Sequence, residues 1–136
     1  AIDARVTEAA LDNIAGAVVL DATSPGWGAA HAGTNLVVLS NLLHLISAAE
    51  ARTLITEAAG ALAPGGTFVI YGPFKRGGKL TSDGDSAFHA SLVGQDPEAG
   101  YKDDFDTLDM LSDAGFEIAH VVEMPANNLA IVATRA

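Results

Sequence analysis

Residues 47–72, SAAEARTLITEAAGALAPGGTFVIYG, predict a helix, a tight turn and a buried strand in direct succession. Ser47 and Glu50 have the spacing of a capping box, in which each side chain accepts a hydrogen bond from the other residue's backbone amide. Apolar residues then recur at helical spacing, at Ala51, Leu54, Ile55, Ala58, Ala59 and Leu62. Pro64-Gly65-Gly66 ends the helix, and the β-rich run TFVIYG (67–72) follows as a strand.

The same alternation of helices and strands extends through the rest of the chain. The apolar run that opens TNLVVLSNLLHLIS (34–47) predicts a strand buried on both faces. Further helices are predicted over 3–15, 85–93 and 105–115, and further strands over 17–23, 116–124 and 128–135. Such alternation predicts one α/β domain over residues 1–136, with a mostly parallel sheet covered on both faces. The last two strands, joined by a short Pro-Ala-Asn-Asn turn, are predicted to be antiparallel.

Composition excludes several classes of function. The chain has 136 residues, 49% of them hydrophobic, and a formal net charge of −10. That acidity argues against general nucleic-acid binding, because neutralisation of phosphates supplies most of such affinity. No apolar run approaches the roughly 18 residues of a membrane span, and the start of the chain, AIDARVTEAA, does not resemble a signal peptide. We therefore expect a cytoplasmic protein with no membrane or nucleic-acid partner.

Ligands of parallel sheets lie at the carboxyl ends of the strands, so the candidate site comprises the segments that follow the strands. These segments are residues 21–24, 40–44 and 71–79. The last is rich in Gly and basic residues, but it is not a Walker loop. Five residues separate Gly72 from Gly78-Lys79 where four are needed, and Leu80 occupies the hydroxyl position. No G-x-G-x-x-G motif occurs, and the 4 histidines lack the spacing of a metal site, so no metal is expected.

Several residues in these segments have both a functional and a structural interpretation. His44 either borders a ligand or begins a helix and bonds the backbone. Asp21 either accepts hydrogen bonds from an adenine amine or a ribose, or caps a turn. Tyr71 and Phe74 either line an apolar wall or pack in the core. Asn127-Asn128 either faces a ligand or forms a turn, since Asn favours turn geometries.

Two sets of motifs resemble known proteins. Asn41-Leu42-Leu43-His44 and Leu62-Ala63-Pro64-Gly65-Gly66 resemble the second half of class I S-adenosylmethionine-dependent methyltransferases. A narrower set is similar to an uncharacterised methyltransferase-like family, and it comprises Tyr71-Gly72-Pro73-Phe74-Lys75, Ala87-Phe88, Ser91-Leu92, Asp96-Pro97 and Met124-Pro125-Ala126-Asn127-Asn128-Leu129. The resemblance extends from Ala17 to Arg135. After His44 the chain reads Leu45-Ile46-Ser47-Ala48-Ala49, where the family has an aliphatic residue, Ser, Pro and Trp.

The resemblance implies a Rossmann-like sheet of seven strands whose last strand is antiparallel. Its first strand, its glycine-rich cofactor loop and the acidic end of its second strand are expected to precede residue 1. The chain would then supply the C-terminal two-thirds of the fold, truncated at the N-terminus. Because the first strand of the family is central, this segment is expected to expose an apolar sheet edge and to form homo-oligomers through it.

The activity that the resemblance implies is methyl transfer from S-adenosylmethionine to a small acceptor of unknown identity. The residues implied to bind the cofactor are Asp21, Ala22, Asn41 and His44. Those implied to face the acceptor are Tyr71, Phe74, Lys75, Asn127 and Asn128. The catalytic candidates among them are His44, Lys75 and Asn128. The alternative is a non-catalytic, methyltransferase-like interaction domain that has lost cofactor binding.

Overall fold

The protein is described here by a computed structural model that covers residues 18–136. Its elements, in chain order, are α1 (Trp27–Ala30), β1 (Thr34–Ser40), a 3-10 turn (Leu43–Leu45), α2 (Ala48–Ala61), β2 (Leu62–Pro73), α3 (Asp83–Gln95), α4 (Asp104–Asp113), β3 (Phe116–Met124), a second 3-10 turn (Pro125–Asn127) and β4 (Asn128–Arg135). The helix predicted over 3–15 lies outside the described residues.

The four strands form one mixed sheet in the order β1-β2-β4-β3. β1 runs parallel to β2, whereas β4 is antiparallel to both β2 and β3. The predicted α/β class, with an antiparallel strand at the C-terminus, is therefore confirmed. Val38, Val69 and Val132 are opposite one another across the sheet, which defines the register used below.

The strand predicted over 17–23 is wrong for the residues that the structure describes. Residues 18–20 have no regular structure, and a turn follows in which the Ser24 amide donates to the Asp21 carbonyl at 3.1 Å. A strand needs a hydrogen-bonded neighbour for its backbone, and the four-stranded sheet does not extend to this segment. A β-rich composition alone was therefore insufficient to make a strand here.

The predicted capping box is present and begins α2. The Glu50 amide donates to Ser47 Oγ at 3.1 Å, and the Ser47 amide donates to Glu50 Oε1 at 3.0 Å. The helix then buries its apolar stripe against the sheet, and the buried members are Ala51, Leu54, Ile55, Ala58, Ala59 and Ala61. Burial of such a stripe supplies most of the stability of a helix this short.

The core lies on one face of the sheet, where Phe68, Ile70 and Ile131 are at most 1% exposed. Helices α2 and α4 both contribute to this cluster. Leu36 and Val38 point to the opposite face and are 56% and 62% exposed. The prediction of a sheet covered on both faces is therefore wrong within residues 18–136.

Helix α1 packs on the C-terminal half of α2 through a glycine. A Cβ added to Gly28 would lie 2.3 Å from the Glu57 carbonyl oxygen, whereas one added to Gly60 would find its nearest atom at 3.8 Å. The same Glu57 holds this segment with its side chain, because its Oε1 accepts the amides of Gly26 and Gly28 at 2.8 and 2.9 Å.

We expect Gly28→Ala to lower the free energy of unfolding by about 1–3 kcal/mol, because the helices must move apart to relieve the clash. Gly60→Ala is the matched control, and we expect it to be neutral or to stabilise by up to about 1 kcal/mol through helix propensity. Urea denaturation of both variants measures the difference. Equal stability of the two would contradict this packing.

Candidate active site

The segments that follow β1 and β2 meet at the end of the sheet where the carboxyl ends of these two strands lie, which is called the carboxyl edge below. The Asn41 amide donates to the Tyr71 carbonyl at 2.8 Å. A Cβ added to Gly72 would lie 3.6 Å from Asn41 Oδ1, so the two backbones approach closely. The structure thus brings Asn41 together with Tyr71 and Gly72, at the edge where parallel sheets bind ligands.

The backbone is strained at this edge. Asn41, Ala126 and Asn127 have φ values of 56°, 61° and 62°, and they are the only non-glycine residues with positive φ within 18–136. Pro73 pairs with Asn128, so the Ala126-Asn127 turn adjoins the carboxyl end of β2. Each such conformation costs on the order of 1–3 kcal/mol and is commonest at functional sites. Asn127 therefore forms a turn and also lies beside the carboxyl end of β2, so its two interpretations, as a turn residue and as a residue that faces a ligand, are compatible.

His44 lies just beyond Asn41, in the 3-10 turn, and is buried at 6% exposure. Phe88 and Tyr101 cover its ring, with centroids at 5.7 and 6.2 Å. Burial, aided by the positive charge of Lys102, lowers the pKa of His44 below its ordinary value. The imidazole is therefore neutral at pH 7, the form that accepts a proton.

A cluster that sequence reasoning missed lies beside His44. Tyr101 donates its hydroxyl to Asp85 at 2.6 Å, and its amide donates to His89 Nδ1 at 3.0 Å. Lys102 Nζ donates to the carbonyls of Ile46 and Gly100 at 2.6 and 3.0 Å. These bonds attach α3 and the following loop to the His44 turn. The i, i+4 spacing of Asp85 and His89 on one helix face was the signal available in the sequence, whereas nothing marked Tyr101.

The basic loop after β2 contains three cations, of which only Arg76 is anchored by its side chain within residues 18–136, whereas Lys75 and Lys79 are not. Arg76 makes two bonds to the Glu123 carboxylate, at 3.0 and 3.2 Å, and also donates to the Phe74 and Asn127 carbonyls. Lys75 has no side-chain partner among residues 18–136, yet it is close enough to His89 to lower the pKa of that histidine after the larger effect of burial. Lys75 thus presents positive charge to the site.

Tyr71 and Asn128 meet at the same edge, where Asn128 Nδ2 donates to the Tyr71 hydroxyl at 3.2 Å. Phe74, predicted as part of the acceptor wall, is instead buried at 2% in the hydrophobic core. Of the two interpretations of Phe74, core packing is the one the structure supports, because no face of the ring reaches the surface.

Asp21 and Ala22 lie away from this edge. Asp21 accepts bonds from the Thr23 amide and hydroxyl and from the Ser24 hydroxyl, and these bonds, those of Thr23 first, lower its pKa. The segment is anchored at Glu57, which lies about 15 Å along α2 from Ser47 at the helical rise. The structure therefore does not bring Asp21 and Ala22 together with Asn41 and His44, because residues 18–23 form no strand that ends at the site.

We expect Tyr101→Phe to lower stability by about 1–3 kcal/mol, the cost of a hydrogen bond to a charged group. Burial raises the pKa of Asp85, but bonds from Tyr101, Ser82 and Thr81 outweigh it and hold that pKa below its usual value. The Asp85 carboxyl therefore binds a proton more weakly in the folded state than in the unfolded state. The stabilisation that its hydrogen bonds provide is fully present above the usual Asp pKa, and it is lost as pH falls through the lowered pKa of Asp85.

Thermal denaturation of the wild type and Tyr101→Phe between about pH 7 and pH 3 measures this effect, because the difference should shrink on acidification. Ser86→Ala, at an exposed position of α3, is the control. A difference that stays constant over this range would contradict the role of the Asp85 carboxylate.

Within 18–136 no group of acidic or His side chains is placed to hold a metal ion. No helix in that range is both long and apolar enough to cross a bilayer. Among the described residues, Asp21, the acid expected to bind the nucleoside end of S-adenosylmethionine, has its carboxylate oxygens engaged within its own turn.

Known structures share this fold. A candidate O-methyltransferase from Nostoc punctiforme is 24% identical over 76% of this chain and 32% of its own, with a TM-score of 0.68. Human N-acetylserotonin methyltransferase, in complex with SAM, is 19% identical over 75% of this chain and 29% of its own, with a TM-score of 0.67. LaPhzM is 16% identical over 98% of this chain and 39% of its own, with a TM-score of 0.75.

These likenesses establish the predicted fold class, a Rossmann-like sheet of the kind found in the matched methyltransferases. The chain spans about a third of the length of the solved structures, since it covers 29% to 39% of the three described here. A family model described as protein of unknown function, DUF938, matches residues 1–135. The chain therefore belongs to the DUF938 family of proteins of unknown function.

Proposed function

We propose that this chain carries the acceptor side of an S-adenosylmethionine-dependent methyltransferase that methylates a small hydroxyl compound. The observation that carries the proposal is the neutral, buried His44 beside Asn41 at the carboxyl end of the sheet. The fold shared with methyltransferases supports it. Such chemistry depends on positioning and on a dry cavity, and it needs no nucleophilic triad.

His44 is proposed as the general base. A neutral imidazole would accept the proton of the acceptor hydroxyl as that oxygen takes the methyl group, whose carbon–sulfur bond breaks to leave a neutral thioether. Phe88 and Tyr101 cover the ring and keep water from it. When bound, the cofactor supplies a methyl group on a sulfonium, which is already activated for transfer. Asn41 is proposed to border that methyl-bearing end.

The remaining proposed contacts face the acceptor. Tyr71 and Asn128, which bond each other, are proposed to orient the acceptor ring or chain. Lys75 is proposed to bind an anionic group of the acceptor, because its ammonium has no partner among the described residues. Asn127 adds a strained, exposed amide at the same edge. Asp21 and Ala22 are left out, because the turn that contains them packs through the Trp27 bond to the Ala22 carbonyl onto the segment that Glu57 holds at Gly26 and Gly28.

One observation favours a second candidate, a non-catalytic interaction domain. Asp21, the residue expected to bind the nucleoside end of the cofactor, has its carboxylate engaged by Thr23 and Ser24 within its own turn. Calorimetric titration of the protein with S-adenosylhomocysteine separates the two candidates. Saturable binding supports the enzyme, and absence of binding supports the interaction domain.

We expect Lys75→Glu to raise the KM for an anionic acceptor about 10–100-fold with a smaller change in kcat, because one charged hydrogen bond is replaced by repulsion. Para-hydroxybenzoate and para-hydroxybenzyl alcohol form a suitable probe pair, since they differ only in the anionic group. Lys79→Glu is the matched control, because it changes the same charge in the same loop at an exposed position. An equal effect of Lys75→Glu on both acceptors would contradict the anion contact.

A further inference from the structure

Three consecutive residues, Gly100, Tyr101 and Lys102, hold the turn that carries His44. The Gly100 amide donates to the His44 carbonyl at 2.9 Å. The Tyr101 ring lies edge-on to the imidazole, with ring centroids 6.2 Å apart. The Lys102 ammonium donates to the Ile46 carbonyl at 2.6 Å and to the Gly100 carbonyl at 3.0 Å. The segment therefore holds the turn at His44 itself and again two residues beyond it.

Gly100 is the joint between this turn and α3. Its φ is 115°, in the left-handed region that favours glycine. A Cβ added to Gly100 would lie 2.7 Å from His89 Cε1 and 3.1 Å from Val93 Cγ2, both on α3. The Gly100 carbonyl that accepts from Lys102 is thus part of a closely packed backbone with little room to move. One end of the Lys102 bridge is therefore fixed.

Lys102 places a positive charge beside His44. Both of its hydrogen bonds go to carbonyl oxygens, which carry no formal charge, so they fix the ammonium without neutralising it. The charge lowers the pKa of His44, after the larger effect of burial. Burial also lowers the pKa of Lys102 itself, an effect that Glu50 and Asp96 oppose and Lys75 reinforces. The imidazole and the ammonium are therefore coupled electrostatically.

The other titratable groups near the ring are engaged elsewhere. On α3, Asp85 accepts the Tyr101 hydroxyl at 2.6 Å, and His89 Nδ1 accepts the Tyr101 amide at 3.0 Å. Lys75, after β2, lowers the pKa of His89 and that of Lys102, in each case after the larger effect of burial. Within residues 18–136, Lys102 is therefore the charged group that acts directly on His44.

We propose that Lys102 is a positioning residue for His44, whose turn it fixes through two carbonyls and whose imidazole it faces with a positive charge. The inference rests on the proposed role of His44 as the base, and it assigns Lys102 two separable effects. The hydrogen bonds keep the ring in place against the acceptor. The charge disfavours the protonated ring, so the imidazole returns the acceptor's proton to solvent water more readily before the next turnover.

Three substitutions separate the two effects. Lys102→Gln removes the charge but can still donate to a carbonyl, Lys102→Met removes both, and Lys102→Arg keeps both. We expect the pKa of His44 to rise in Lys102→Gln and Lys102→Met, because the repulsion is gone, and to stay low in Lys102→Arg. Lys79→Met is the control, because it removes the same charge at an exposed position and should leave the pKa of His44 unchanged.

The kinetic consequences divide in the same way. Loss of the charge moves the acid limb of kcat/KM to higher pH, so Lys102→Gln should lose rate in mildly acidic solution and regain it above neutrality. Lys102→Met should show a further loss of about 10–100-fold in kcat/KM that persists at all pH values, because the ring is no longer held in place. A purely structural role would lower stability without moving the acid limb.

Proton NMR of the 4 histidine rings between about pH 4 and pH 8 measures the pKa of His44 without cofactor or acceptor. His44→Ala identifies the His44 signal by its loss, and circular dichroism confirms that the variants are folded. If Lys102→Met does not fold, Lys102→Gln and Lys102→Arg give the same comparison.

The proposal predicts a raised pKa of His44 in both neutral variants of Lys102 and the wild-type value in Lys102→Arg. An unchanged pKa in the neutral variants, a raised one in Lys102→Arg, or an equal rise in Lys79→Met would each overturn it. The predicted pattern in a protein that does not bind S-adenosylhomocysteine would support the coupling of Lys102 to His44 and overturn only the proposed function.

Discussion

Replacing His44 with alanine is expected to lower the rate of methyl transfer about 10²–10⁴-fold, the usual contribution of a positioned general base. The reason is the environment of the ring, which is buried beneath Phe88 and Tyr101 and has a pKa lowered by that burial. Release of S-adenosylhomocysteine under saturating cofactor measures the loss. His120→Ala is the control, because His120 lies exposed on β3.

The pH dependence separates a base from a packing residue. Because the pKa of His44 lies below its ordinary value, the base stays deprotonated through neutral pH and protonates only in more acidic solution. The wild type should keep full kcat/KM at pH 7 and lose it below the lowered pKa, whereas His44→Ala should show no such acid limb. A large loss in His44→Ala with the acid limb intact would show that another group is the base.

Replacing Ile70 with alanine is expected to lower the free energy of unfolding by about 2–5 kcal/mol. Ile70 is 1% exposed and lies on the covered face of β2, within the core cluster. Its neighbour Val69 points to the open face, and we expect Val69→Ala to cost about 1 kcal/mol or less, the span of strand propensity. The pair tests the one-sided core of residues 18–136, because both positions lie in the centre of the sheet.

Denaturant unfolding at two protein concentrations gives the two losses of stability, and agreement between the concentrations shows that association does not contribute. Similar losses for Val69→Ala and Ile70→Ala would mean that the second face is covered as well. That result would contradict both the one-sided core and the exposed β1 surface.

Sequence patterns correctly predicted those parts of the fold that depend on residues close together in the chain. The capping box of Ser47 and Glu50, with the apolar stripe that follows, located α2 because a helix start and its buried face depend on neighbouring residues. The antiparallel ending was predicted because a short turn joins β3 and β4. The strand at 17–23 was not predicted correctly, since a strand requires a partner elsewhere in the chain.

The residues of the candidate site were predicted correctly or wrongly for the same reasons. Asn41 and His44 follow a correctly predicted strand, and the structure places them at its carboxyl end. Asp21 was assigned to the site by a strand that does not form, so its placement failed with it. Tyr101 was missed because its bond to Asp85 joins two separate segments, and no residue spacing encodes such a contact.

The central claim is that the carboxyl ends of β1 and β2 form the ligand site. Its most direct measurement is an amide NMR titration of the protein with S-adenosylhomocysteine. We predict saturable shifts concentrated at the amides of Asn41, His44 and Gly72, which adjoin one another at this edge. Binding that leaves these three amides unmoved, or no binding at all, would contradict the account.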